Sequence, residues 1–477
     1  MKTEKSFLQF TKPEIPLTFL LFIILTFINL LTSSTGDSGD SIKHFLYSKY
    51  AFDYPDFFFH HWAKPVFVLL SSPFAYFGFK GMIVFNSLCA SFIGYFSYKS
   101  AVNLSIKNPA MVFLFLLFAP LFFALIFSGL TEYLFALFLI VGVYLFTINR
   151  FIYGLIIISF LPLIRSEGLI ILIVFAGYLF WLRKFKLLPF LLAGQLIYSI
   201  IGAFFYKDIL WLIHEIPYAS LKERYGNGSL FDFVHRLNYV IEKPIYSLFL
   251  IGAAATLWRF LKNRKSDKSS LLFFLILGSF VAVFVGHSLF WWKGIFNSMG
   301  LPRVLLAVYP AIVLLALVGT NCLLDWIKQP TMKQVVLGAI CAVIAIFPFT
   351  NRSQGVVYNE QLFEITTNTI LIKDIKPFIE SAYPNYLNMK LYYTHPAISF
   401  VLNQDYFDGK YHQELHELQK GTLDKNTLII WDNKMAILES NVKKADLTNR
   451  GDLNVLATFR RNKNGDVVEF VVFAPKH

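Results

Sequence analysis

Charge is scarce in this 477-residue sequence: Asp, Glu, Lys and Arg make up 15% of it, against about a quarter in soluble globular chains. Cysteine is nearly absent. Cys89, Cys322 and Cys341 each lie inside an apolar run without CxxC spacing, which excludes a disulfide scaffold and makes them small buried hydrophobes. There is no P-loop, no GxGxxG after a strand and no GxSxG, so soluble nucleotide chemistry and a hydrolase nucleophile have no seat. Neither a repeat nor a low-complexity stretch is present. What fills the sequence is apolar: 56% hydrophobic residues, 53 of the residues Phe, and a mean hydropathy of +0.56. Such a composition predicts a polytopic α-helical membrane protein.

Apolar runs near 15–33, 82–98, 109–129, 132–148, 151–165, 167–182, 187–206, 244–262, 270–290, 304–324 and 333–349 predict eleven transmembrane helices. The first run is followed by Thr32-Ser33-Ser34-Thr35-Gly36 without an A-x-A pattern, so it reads as a retained anchor. The segment from Lys64 to Phe79 is short and interrupted by Pro73, and is expected to lie along the outer surface. Net charge is +13, yet 15 basic and 15 acidic residues share the stretch from 351 onward. All the excess cation therefore sits in the hydrophobic part, in short loops such as those holding Lys99, Lys107, Arg150, Arg183, Lys184, Lys328 and Lys333. By the positive-inside rule these loops and the N-terminus are cytoplasmic, and nucleic acid is not an expected partner. Residues 1–350 form the membrane domain, with an outer loop at 33–81. Residues 351–477 form an outward soluble domain. In that domain 359–381 has helical spacing, Lys390–Thr394 and Thr427–Trp431 read as strands, and Leu453–Arg461 with Asp466–Phe473 flank an Asn464-Gly465 hairpin turn. A small α/β module is expected, supplying no catalytic base.

Chemistry is concentrated at the outer level. The first loop, GDSGDSIKHFLYSKYAFDYPDFFFHHWAKP, carries Asp37, Asp40, His44, His61 and Lys64 among aromatic residues. Charges held near a membrane are costly without a partner or a task. Glu132 is the single acid of the turn Gly129-Leu130-Thr131-Glu132, and Arg165-Ser166-Glu167 occupies the next outer turn. Arg165 and Glu167 are either a structural ion pair or part of an anion site. His287, Lys293 and Arg303 form a further group at this level. Arg303 opens a helix, where the dipole favours anions, so an anionic partner accounts for it better. The histidines show no metal-ligand spacing. No metal or other cofactor is expected, a divalent ion shared by Asp37 and Asp40 being the open alternative.

Taken together, Asp40 in GDSIKHF, Lys64-Pro65 in HHWAKPVFVLLSSP, and the stretches FSGLTEYLFALFLIVGVYLF and LPLIRSEGLIILIVFAGYLFWLRKFK resemble the GT-C class of membrane glycosyltransferases. The resemblance is to the protein O-mannosyltransferase and aminoarabinose transferase-like enzymes, and covers roughly residues 15–320. It implies transfer of a sugar from a polyprenyl-phosphate donor to a lipid, glycan or protein hydroxyl on the outer face of a bacterial inner membrane. It implies Asp40 as the base of an inverting displacement, with Asp37 its competitor. Lys64 would bind the carrier phosphate with help from Arg165 or Arg303, and Glu132 would be the second acid. His44, His61, Glu167 and Lys293 complete the residues expected at the substrate. Two departures stand out: Ser41 follows Asp40 where the family often has Glu, and Val66 follows Pro65 where it often has a second proline. Rival readings are a transporter or flippase of lipid-linked glycans, an O-antigen polymerase or ligase, and a receptor built on the C-terminal domain.

Overall fold

The computed structural model describes residues 12–217, 225–350, 352, 356–359, 362–418, 423–463 and 465–476. They fall into two compact units: residues up to 32 with 47–362, and residues 33–46 with 363 onward. Lys2 and Lys5, basic residues of the N-terminus expected to be cytoplasmic, lie outside the described residues.

Among the described residues of the first unit seven helices are long and apolar enough to cross a membrane: Glu14–Leu31, Phe79–Asn103, Phe185–Tyr206, Asp232–Lys262, Asp267–Lys293, Pro302–Asp325 and Pro330–Phe349. Four shorter apolar helices accompany them: Pro65–Ala75, Glu132–Thr147, Phe151–Leu163 and Gly168–Trp181. Pro65–Ala75 has 11 residues, far fewer than the ~20 that span a bilayer. Its Pro65, Phe67, Val68 and Ala75 are buried, while Leu69 and Leu70 are exposed.

The span expected at 109–129 is instead two short helices, Met111–Leu117 and Pro120–Ile126. Pro120 is the cause. It disfavours the α conformation at Ala119, which is extended at φ −94°, ψ 106°, and it offers no N–H to continue the ladder. A second proline acts similarly in Asp232–Lys262, where the helix breaks at Glu242 (φ 58°, ψ 159°) two residues before Pro244. That helix also begins earlier than the apolar run at 244, because the amphipathic turn from Asp232 joins it.

Pro302–Asp325 is buried along its whole apolar stretch and is the hub of the first unit. Gly319 and Gly252 bring it into backbone contact with Asp232–Lys262. A Cβ on Gly252 would fall 1.7 Å from the Leu315 carbonyl oxygen, and one on Gly319 would fall 1.9 Å from that of Leu248. Tyr309 fixes the other end of the hub helix. Its ring stacks on Phe122 with centroids 4.4 Å apart, and its hydroxyl donates to the Phe115 carbonyl at 2.7 Å.

The second unit is a five-stranded mixed sheet with helices. In chain order the strands are β1 (Lys390–Tyr392), β2 (His412–Gln413), β3 (Thr427–Asp432), β4 (Leu453–Lys463) and β5 (Asp466–Pro475), in spatial order β2-β1-β3-β5-β4. β1 runs parallel to β2 and β3, while β5 is antiparallel to β3 and β4. The β4–β5 hairpin closes on Lys463 opposite Asp466, and Gly465 takes φ +85°, which a glycine adopts without strain. Asn464 lies outside the described residues. Tyr392, Leu415, Ile429, Trp431, Leu447, Leu453, Val471 and Phe473 form a core on one face of the sheet.

The first outer loop, expected as one stretch of the membrane domain, is divided. Residues 33–46 belong with the sheet unit: Thr35 Oγ1 accepts from Asn368 Nδ2 at 2.7 Å, Phe45 meets Phe400 edge-on at 5.8 Å, and Gly39 packs beside Met435.

Candidate active site

In the first unit, chain segments remote in sequence bring six ionisable groups together at the ends of apolar helices. Lys64 precedes Pro65 and takes φ 71°, ψ 99°, a conformation uncommon for a residue with a Cβ. It is 5% exposed, and its ammonium donates to Ser166 Oγ at 3.0 Å. Glu132 is the first residue of its helix, an end where the helix dipole favours a carboxylate, and it is fully buried. The turn before it is held by Asn86, whose Nδ2 donates to the carbonyls of Ser128 (2.7 Å) and Leu130 (3.3 Å).

Arg165 joins these parts. One terminal nitrogen lies 2.9 Å from Glu132 Oε1 and donates to Thr131 Oγ1 at 2.9 Å. The other donates to Glu167 Oε1 at 2.9 Å. His287, from Asp267–Lys293, places Nε2 3.2 Å from the same Glu167 oxygen, and Arg303 Nε stands 3.8 Å from Glu132 Oε1. Lys64, Arg165 and Arg303 are thus interleaved with two carboxylates, so that no single charge is buried alone.

Burial would raise the Glu167 carboxyl, but the Arg165 charge, reinforced by His287, holds it well below the usual carboxylate range. Burial also opposes the Arg165 charge, and Glu132 and Glu167 more than reverse that, raising it. Lys64 is the group left adjustable. Burial pushes its ammonium down to about 8, with Glu167 pulling it up and Arg165 pressing it lower. His61 is lowered to about 4, chiefly by burial and then by the Lys64 charge, and is therefore neutral near pH 7. Cations held in a buried frame are suited to receive an anion without reorganising.

The expected residues distribute unevenly. Lys64, Glu132, Arg165, Glu167 and Arg303 share the cluster just described. His61 lies beside Lys64 in the chain, with Nε2 3.1 Å from the Leu212 carbonyl oxygen. Lys293 is outside the cluster's contacts: it is exposed and covers the Trp292 ring at 3.7 Å, because the helix ends there and turns it outward.

Asp37, Asp40 and His44 belong to the second unit. Asp37 Oδ1 accepts from the backbone N–H groups of Gly39 and Ser41, each at 2.9 Å, which is the capping geometry of a helix start. Asp40 is the first residue of the helix Asp40–Lys49 and is half-buried, and His44 is buried one turn on. Among the described residues no group of three or more His, Cys, Asp or Glu stands close enough to hold a metal ion.

Sequence reasoning passed over Thr131 and Ser166 and gave His287 no role. The signal for His287 was present, since it is an ionisable residue inside an apolar stretch. Thr131 and Ser166 carry no such mark, because hydroxyl side chains are common in these turns.

No family model and no curated protein matches the sequence. The structure is similar to the crystal structure of ArnT from Cupriavidus metallidurans bound to undecaprenyl phosphate, with a TM-score of 0.57 and 13% identity over 96% of this chain and 97% of that one. The chain therefore shares the polytopic helical fold of that structure, with a C-terminal domain.

Proposed function

We propose that the chain is an integral-membrane glycosyltransferase that takes a sugar from a polyprenyl-phosphate carrier and delivers it to an acceptor hydroxyl on the outer face of the membrane. The observation that carries this reading is the buried cluster of Lys64, Arg165 and Arg303 around Glu132 and Glu167, set at the ends of apolar helices where a lipid-borne phosphate can arrive. The ArnT crystal, with undecaprenyl phosphate bound to the same fold, supports it.

In the proposed step the acceptor oxygen attacks the anomeric carbon on the face opposite the phosphate. The bond from that carbon to the phosphate oxygen breaks, and its electron pair leaves with the carrier. Asp40 takes the acceptor proton. Lys64 and the guanidinium of Arg165, with Arg303, stabilise the charge that grows on the leaving phosphate. Asp37 is assigned the capping role, since its Oδ1 accepts two backbone hydrogen bonds at the start of the helix.

The test is to incubate purified protein with undecaprenyl-phosphate sugars and candidate hydroxyl acceptors and to follow the appearance of free undecaprenyl phosphate. Sugar transfer is expected. Binding of the carrier with no sugar released from any donor and acceptor pair would reject the enzymatic reading in favour of carrier transport.

A further inference from the structure

Glu167 is the hinge of the cationic cluster, and what holds it in place comes from a distant helix. Its Oε1 takes the hydrogen bond from Arg165 at 2.9 Å and faces His287 Nε2 at 3.2 Å. The two partners approach one oxygen from different elements, Arg165 from the turn before Gly168–Trp181 and His287 from Asp267–Lys293. An ionised carboxylate accepts only, so a proton on Nε2 is what this 3.2 Å contact favours. The ring is itself packed: the Phe233 centroid is 6.0 Å away and the Phe290 ring meets it edge-on at 5.8 Å, and the residue is 8% exposed.

The imidazole meets the carboxylate through a single ring nitrogen at 3.2 Å and so orients it. Without it the Glu167 carboxylate is free to turn about its last torsion, and Arg165 loses one of the two carboxylates that fix its fork.

We propose that His287 is a positioning residue of the phosphate site: its Nε2–H holds Glu167 against Arg165 and so fixes the guanidinium that receives the carrier phosphate. This rests on the proposed function, and the test separates the two.

The full chain in detergent is titrated with undecaprenyl phosphate, and its thermal unfolding is measured alongside. Loss of this 3.2 Å contact to a charged group predicts about tenfold weaker binding for His287→Ala. Gln carries its amide nitrogen near the position of Nε2, and Asn near that of Nδ1. His287→Gln is therefore expected to bind as the wild type does and His287→Asn as weakly as Ala, with all four unfolding temperatures close. If the Ala variant unfolds early, the Gln and Asn pair decides, because a purely structural role predicts equal affinities for both. Equal affinity across wild type, Gln and Asn overturns the positioning role alone. A wild-type chain that does not bind undecaprenyl phosphate overturns the phosphate site and this role with it. In a transfer assay the defect should appear in KM for the donor more than in kcat, and be reversed by Gln.

Discussion

Two aspartates three residues apart are proposed to do different work. Asp37 Oδ1 accepts from Gly39 and Ser41 N–H, a task asparagine performs about as well. Asp37→Asn should thus leave transfer and folding near wild type, whereas Asp37→Ala should cost about 1 kcal/mol of stability. Asp40→Asn removes the proposed base, and turnover should fall by about 10²–10⁴-fold while undecaprenyl phosphate still binds. Full activity in Asp40→Asn would remove it from the mechanism. Lys64 offers a test by pH. Its ammonium titrates at about 8, so it attracts phosphate below that value and ceases to do so above it. Affinity for undecaprenyl phosphate should decline as the pH is raised through 8, and Lys64→Arg, charged throughout, should abolish the decline. The effect on folding has the opposite sign. The folded value lies below that of an unfolded lysine, about 10.4, so between these two values the unfolded state holds more protons and stability rises with pH.

At the scale of elements, the crossing of Asp232–Lys262 with Pro302–Asp325 depends on two glycines that admit no side chain. Gly252→Leu or Gly319→Leu should destabilise the first unit by about 1–3 kcal/mol or more, read as a lower unfolding temperature in detergent. An unchanged temperature would mean the helices have room to separate. Helices as such were legible in the sequence, since hydrophobic run length dictates them. Where they break was less so. Pro120 lies inside a run whose apolar character is uninterrupted, so composition predicts one span while backbone sterics deliver two helices. The sheet unit was readable at β1, β3 and the β4–β5 hairpin from strand-forming runs and turn chemistry. β2, only two residues long, leaves no pattern to read. For the site, position at the outer level picked out Glu132, Arg165 and Glu167, but pairing across helices is a tertiary fact. Hence Lys293, at the same level in the chain, turned out to rest on Trp292, and His287 came to lie on Glu167.

At the scale of the molecule, the residues proposed to act fall in two units. Lys64 and Arg165 belong to the helical one, and Asp40 to the one built on the sheet. Removing residues 363–477 takes away Asn368 and Phe400, which hold the segment around Asp40. Such a chain should lose transfer altogether yet still bind undecaprenyl phosphate, and loss of that binding too would contradict the division. The Glu132–Arg165 pair has a bearing on biogenesis as well. A lone charge offered to hydrocarbon carries a penalty of up to about 2.5–3.5 kcal/mol at mid-membrane and less toward the ends of a span. Glu132 is synthesised first, and its partner follows only after Glu132–Thr147 and Phe151–Leu163 have been made. Those two helices are then expected to enter the lipid as one hairpin whose ends neutralise each other. His287 and Arg303 arrive later, on helices that close over charges already balanced. A chain halted between these stages would sit quietly in the bilayer, electrically satisfied and chemically inert.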